Sequence, residues 1–173
     1  MRVRKQPGVP IAFLALVTLL LGSSPLRAEE PTLLWPAPET NAMGASVFSG
    51  YSFGDQLEGP PLGARMMFFF RYFVLAVSGD MTFVPDGNSF SMLVNLDGRY
   101  GPIRLGLLAG LHWLPGKGGS PSAGLGVHAG LMFPTGLDGL WFDLSYRPNL
   151  IFLESGNMTY HSVHLGVIIE AGL

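Results

Sequence analysis

Leu140-Trp-Phe-Asp-Leu-Ser-Tyr-Arg-Pro-Asn-Leu-Ile-Phe152 is the stretch whose reading decides the fold. Its even positions are Leu140, Phe142, Leu144, Tyr146, Pro148, Leu150 and Phe152, and its odd positions open with Trp141, Asp143, Ser145, Arg147 and Asn149. Repetition at every second residue is the period of a β-strand, because successive side chains leave an extended backbone on opposite sides. One side of this strand is apolar and the other largely polar.

The same split runs through the chain from Met43 onward. Ile103, Leu105, Leu107, Ala109, Leu111 and Trp113 oppose Arg104, Gly106, Leu108, Gly110 and His112. Ala123, Leu125, Val127, Ala129, Leu131 and Phe133 oppose Gly124, Gly126, His128, Gly130 and Met132. Phe90, Met92, Val94 and Leu96 oppose Ser91, Leu93, Asn95, Asp97 and Arg99, and Met66, Phe68, Phe70 and Tyr72 oppose Arg65, Met67, Phe69 and Arg71. Phe73, Leu75, Val77 and Met81 oppose Ala76, Ser78, Asp80 and Thr82. Val163, Leu165, Val167, Ile169, Ala171 and Leu173 oppose Tyr160, Ser162, His164, Gly166 and Glu170. The first strand, about Met43 to Phe53, is the weakest, with Val47, Tyr51 and Phe53 against Ser46, Gly50 and Ser52.

Eight strands result, and their connections alternate in character. Four are flexible and polar: 54–61, 84–88, 114–121 and 154–157. The other three, near Arg71-Tyr72, Arg99–Pro102 and Pro134–Gly139, are turns. Loops at one end and turns at the other describe an all-β, closed, up-and-down antiparallel barrel spanning 43–173, with both termini at the turn end.

The N-terminus has a different character. Arg2, Arg4 and Lys5 precede the apolar run Ile11–Leu21, in which only Thr18 is polar, and the following segment ends in Ala28 before Glu29 and Glu30. That order of basic, apolar and small residues is a secretory signal peptide over 1–28. Its apolar core is shorter than the roughly 20 residues a spanning helix requires. Residues 29–42, with three prolines in 29–41, form an irregular lead-in to the barrel. Export leaves 145 residues with six basic and twelve acidic side chains, a balance that excludes a nucleic-acid or polybasic membrane-surface role. The absence of cysteine excludes disulfides, thiolate metal sites and thiol catalysis.

A barrel of eight strands encloses either an apolar interior in water or a polar interior in lipid. The apolar faces carry no Asp, Glu, Lys or Arg, and among ionisable imidazoles only His161, near a rim. Placed inside, these faces would crowd a narrow barrel with large side chains and leave an outside of glycines and few charges. Placed outside, they meet lipid. The aromatics agree: Phe53, Phe83, Phe90, Trp113 and Phe152 sit at the loop end, and Phe70, Tyr72, Phe73, Tyr100 and Phe133 at the turn end. Two such girdles mark the membrane–water interfaces of outer-membrane barrels. The alternative is the β-sandwich of a secreted domain.

On these strands and girdles, 43–173 resembles the small eight-stranded outer-membrane barrels of the OmpA transmembrane domain, OmpX and OmpW kind. The last strand adds His164, Gly166, Ile169 and Ala171, which look like the signal that barrel-assembly machinery reads, although the family usually ends in Phe or Trp and this chain ends in Leu173. The resemblance implies a Gram-negative outer-membrane protein, delivered by periplasmic chaperones and that machinery, solvated by outer-membrane lipid, monomeric and without a cofactor.

Inward parity collects Arg65, Arg71, Arg99, Arg104 and Arg147 with Asp80, Asp97, Asp143 and Glu170. Buried charges persist where they pair, so this set is expected to plug the lumen by salt bridges, with a structural or surface role for the protein. A narrow ion or small-solute channel is the second reading. An outer-membrane lipid-modifying enzyme is the third, with His112, His128, His164, Ser162 and Asp80 as its inward candidates. Against it, His161 and Ser162 are adjacent and so leave the strand on opposite faces, and no triad spacing or metal cluster is present. No catalytic, cofactor or metal residue is expected.

Overall fold

The computed structural model of the chain describes residues 41–54, 57–116 and 119–172. The expected signal peptide and all of the irregular segment up to residue 40 lie outside the described residues, as does Leu173.

Eight strands follow in order: β1 (Ala42–Gly54), β2 (Pro61–Phe69), β3 (Phe73–Thr82), β4 (Ser89–Tyr100), β5 (Ile103–Trp113), β6 (Ser122–Pro134), β7 (Leu140–Leu153) and β8 (Gly156–Gly172). Each pairs antiparallel with its neighbours in sequence, and β8 closes the sheet onto β1. Closure leaves no strand edge unpaired. Stepping across paired residues from Gly44 through Met67, Ala76, Asn95, Leu108, Gly126, Asn149 and Tyr160 returns to β1 at Gly54, ten residues further along. A stagger of this size tilts the strands by about 40° and leaves a lumen that side chains just fill.

The strands form where the two-residue alternation is densest, and they stop where backbone geometry or hydrogen bonding stops them. Between β4 and β5, Gly101 takes φ 56°, the left-handed conformation, and Pro102 follows it, so the chain reverses in Tyr100-Gly101-Pro102. Between β7 and β8 the loop is shorter than expected. Leu153 already pairs with Gly156, leaving only Glu154 and Ser155 to turn. Pro61 opens β2, where it needs no ladder donor, and the Ser49 hydroxyl donates to its carbonyl at 2.9 Å.

The turn between β2 and β3 corrects one expectation. The aromatic alternation continues through Phe70 and Tyr72, but the sheet ends at the pair Phe69–Val74. There the Phe70 N–H donates to the Phe73 carbonyl at 2.9 Å and the two rings stack with centroids 4.4 Å apart. Arg71 and Tyr72 are thereby pushed out into an exposed turn.

The inside and outside of the barrel follow parity. Val47, Leu62, Met66, Leu96, Leu105, Leu107, Leu125, Leu165 and Ile169 are exposed on the outer surface. Adjacent Leu107 and Leu108 make the point most sharply, at 69% and 2% exposure. A band of apolar side chains this continuous cannot be solvated by water and is matched by hydrocarbon. The interior has three tiers. Ala42, Met67, Phe69, Val74, Ala76, Met132, Trp141 and Ile168 form an apolar cluster at the turn end. Leu57, Leu114, Ile151, Met158 and Tyr160 form another at the loop end, with Val84 and Leu153 packed on it. Between them lies a belt of buried Arg, Asp, His, Ser and Asn.

Candidate functional site

The middle tier is built from inward residues of six consecutive strands, β2 to β7. Arg65 comes from β2, Asp80 from β3, Asp97 from β4, Arg104 from β5, His128 from β6, and Asp143 and Arg147 from β7. All are buried. Asp143 is the hub. It accepts from Arg65 at 3.2 Å through one carboxylate oxygen and from Arg104 through the other. Arg104 continues to Asp97 at 3.8 Å, and Asp97 pairs with His128 Nδ1 at 2.8 Å. Arg147 lies 3.6 Å from Asp80. Three arginines thus face three aspartates, a neutral sum that makes the burial tolerable.

Phe48 joins the two halves of this network. Its ring lies between the guanidinium groups of Arg65 and Arg147, at 5.1 and 5.0 Å, where the negative face of the ring attracts both. Gly166 is paired with Phe48 across the β1–β8 seam, and a Cβ at Gly166 would come within 3.0 Å of Phe48 Cβ. The glycine of the expected assembly signal therefore leaves room for the Phe48 backbone and Cβ, while the ring itself is accommodated at Gly63, where a Cβ would collide with Phe48 Cζ. His164 packs against the same ring, with centroids 4.7 Å apart. Ile169 and Ala171 of that signal are exposed on the outer face.

Other expected lumen charges stand apart from the network. Arg71 is not in the lumen at all: it is exposed in the β2–β3 turn, 5.1 Å over the Tyr72 ring, because β2 ends before it. Arg99 and Glu170 are only half-buried at the turn end, where Arg99 lies over Phe69 at 5.8 Å and within electrostatic reach of Glu170. Among the histidines, His112 is bonded to Ser91 at 2.9 Å. Ser162 donates to the carbonyl of Arg147 at 3.5 Å and Asp80 faces Arg147. Ser162 and Asp80 thus both engage Arg147, His112 engages Ser91 and His128 engages Asp97, and among the described residues no hydrogen bond joins His164 to Ser162.

The outer surface carries the girdles. Phe53, Phe83, Phe90 and Phe152 are exposed at the loop end and Trp113 is half-buried there, its ring 5.5 Å from that of Phe90. At the turn end Tyr72, Phe73 and Tyr100 are exposed, and Phe70 and Phe133 half-buried. His161, the exception on the apolar face, is stacked between Phe53 and Tyr146 at 5.4 and 5.9 Å, and its Nδ1 is hydrogen-bonded to the Tyr146 hydroxyl at 2.7 Å. A polar ring on a lipid-facing surface is tolerated here because its neighbours cover it.

Neither a protein-family model nor a curated relative matches the chain. Solved structures do. Neisserial surface protein A is 18% identical over 75% of this chain and 96% of that one, with a TM-score of 0.50. The N-terminal β-barrel domain of Pseudomonas aeruginosa OprF is 17% identical over 76% of this chain and 98% of that one, with a TM-score of 0.48. The attachment invasion locus protein Ail of Yersinia pestis, solved with the heparin analogue sucrose octasulfate, is 14% identical over 76% and 99%, with a TM-score of 0.47. The fold is that of the small outer-membrane barrels. At these identities the likeness speaks for architecture, and the apolar outside around a charged inside makes the chain a transmembrane β-barrel of the outer-membrane type.

Sequence reasoning missed the two apolar tiers. Met67, Phe69, Ala76, Met132 and Trp141 stand on the inward parity, where alternation alone marks them as interruptions of a polar face. Their signal was position along the strand: all lie toward the turn end.

Proposed function

We propose that the protein is an integral structural or surface component of the Gram-negative outer membrane, a monomeric barrel whose lumen is sealed and which performs no catalysis. The observation that carries this reading is the three-tier interior. A neutral belt of interlocked Arg and Asp side chains lies between two apolar plugs, and each plug sets a dry barrier in the path of an ion. Eight strands leave no spare radius around these side chains. The loops are short, so most of the folded mass is the membrane-embedded wall itself.

Conductance tests it. In planar bilayers the purified barrel is expected to show no discrete openings at voltages that porins withstand open. Reproducible unitary steps from the folded protein would establish the channel reading instead.

A further inference from the structure

Two hairpins part at the loop end of the wall. β6 and β7 are paired as far as the rung Gly124–Ile151. Beyond it β6 runs on to Ser122 alongside β5, and β7 runs on to Leu153 alongside β8, so each hairpin continues without the other. Between them is a cavity of about 380 Å³, within the roughly 300–1,000 Å³ of small-ligand sites. Its membrane-side edge is Ala123 and Phe152, both exposed on the outward parity and next in line to the pair Leu125–Leu150 of the lipid-facing wall. Phe152 is a ring of the loop-end girdle, which puts the cavity at the exterior interface of the bilayer.

The rest of the lining is hydroxylic: Ser120, Ser122 and Ser155, together with the carboxylate of Glu154. A serine hydroxyl both donates and accepts, whereas a carboxylate only accepts. Of the polar groups that lipids carry at this depth, phosphate would meet a carboxylate of its own sign, and an ammonium offers the serines nothing to donate to. A sugar matches the whole set, because each of its hydroxyls donates and accepts. The C–H groups of its ring, slightly positive, rest well against the negative face of an aromatic ring such as that of Phe152. Ala123, a small residue at the same edge, leaves the space for it.

We propose that this cavity binds the sugar headgroup of a glycolipid in the exterior leaflet. The sugar lies against Phe152 and hydrogen-bonds to Glu154 and the serines, and the acyl chains run down the wall over Leu125 and Leu150. Continuity of the cavity with that wall is what selects a sugar carried on lipid over one free in solution. The proposal does not depend on whether the lumen conducts.

The probe is monoglucosyl diacylglycerol, added in increasing proportion to phosphatidylcholine nanodiscs that hold the full mature protein, with alanine methyl resonances as readout. Ala123 lines the cavity, whereas Ala45 and Ala109 are exposed on other parts of the wall and report general changes of the bilayer. A saturable shift of Ala123 with Ala45 and Ala109 unmoved is expected. Diacylglycerol with the same chains, phosphatidylglycerol, and methyl glucoside without chains should each bind more weakly. The double variant S120A/E154Q alters two exposed side chains and should keep its heat-modifiable gel mobility while binding the glycolipid about tenfold more weakly, since a hydrogen bond to a charged acceptor is the stronger kind. An Ala123 shift that does not saturate, equal movement of Ala45 and Ala109, binding of any of the three comparison molecules as tight as that of the glycolipid, or undiminished binding by the double variant would each overturn the site.

Discussion

At the scale of single residues parity decides which side chains meet lipid, and it assigns opposite costs to neighbours. Leu107 faces hydrocarbon near the middle of β5, and Leu107→Arg should destabilise the barrel by about 2–4 kcal/mol. Chemical unfolding in detergent or lipid, followed by gel mobility, measures it; a midpoint like that of the unaltered protein would exchange inside and outside. Asp143 is the contrasting residue, because two arginines share it. Asp143→Asn leaves Arg65 and Arg104 buried with half their compensation, and a loss of about 3–5 kcal/mol is expected in the same assay. Asp80→Asn, which touches one arginine at longer distance, should cost less.

At the scale of elements, eight strands and their order were legible because each carries enough alternating residues to be told from loop, and because a barrel makes every strand repeat the same instruction. Strand ends were less legible. β2 shows why: Phe68, Phe70 and Tyr72 keep the period of two past the point where pairing ends, and only the hydrogen bond from Phe70 to Phe73 decides that Arg71 belongs to a turn. The charged network was legible in its members Arg65, Arg104, Arg147, Asp80, Asp97 and Asp143. Its wiring was not, since which arginine meets which aspartate depends on the stagger of ten residues around the sheet, a property of all the registers at once. The apolar tiers were hidden for a related reason: alternation tells side from side but not height from height. Phe69 anchors the turn-end tier, fully buried and under Arg99. Phe69→Ala should lower stability by about 3–5 kcal/mol through the cavity it leaves, read as a lower denaturant midpoint with unchanged heat-modifiable mobility at ambient conditions.

At the scale of the whole molecule, the low share of charged residues, 13%, and the 48% hydrophobic share have a structural explanation. Among the described residues, many of the large apolar side chains lie on a surface that lipid solvates, and the charges lie in a neutral interior belt, at the turn end of the lumen, and in the turns and loops. The same arrangement supports the sealed lumen proposed above and leaves the loop end as the part able to meet other molecules. The whole arrangement turns on which face of each strand meets lipid. The most direct measurement is paramagnetic broadening of leucine methyl signals by a nitroxide carried on a lipid acyl chain, made on the unaltered protein in a bilayer. The methyls of Leu107 and Leu165 are predicted to broaden while those of Leu93 and Leu108, buried in the lumen, stay sharp. Broadening of Leu108 with Leu107 spared, or equal broadening of both, would contradict the account.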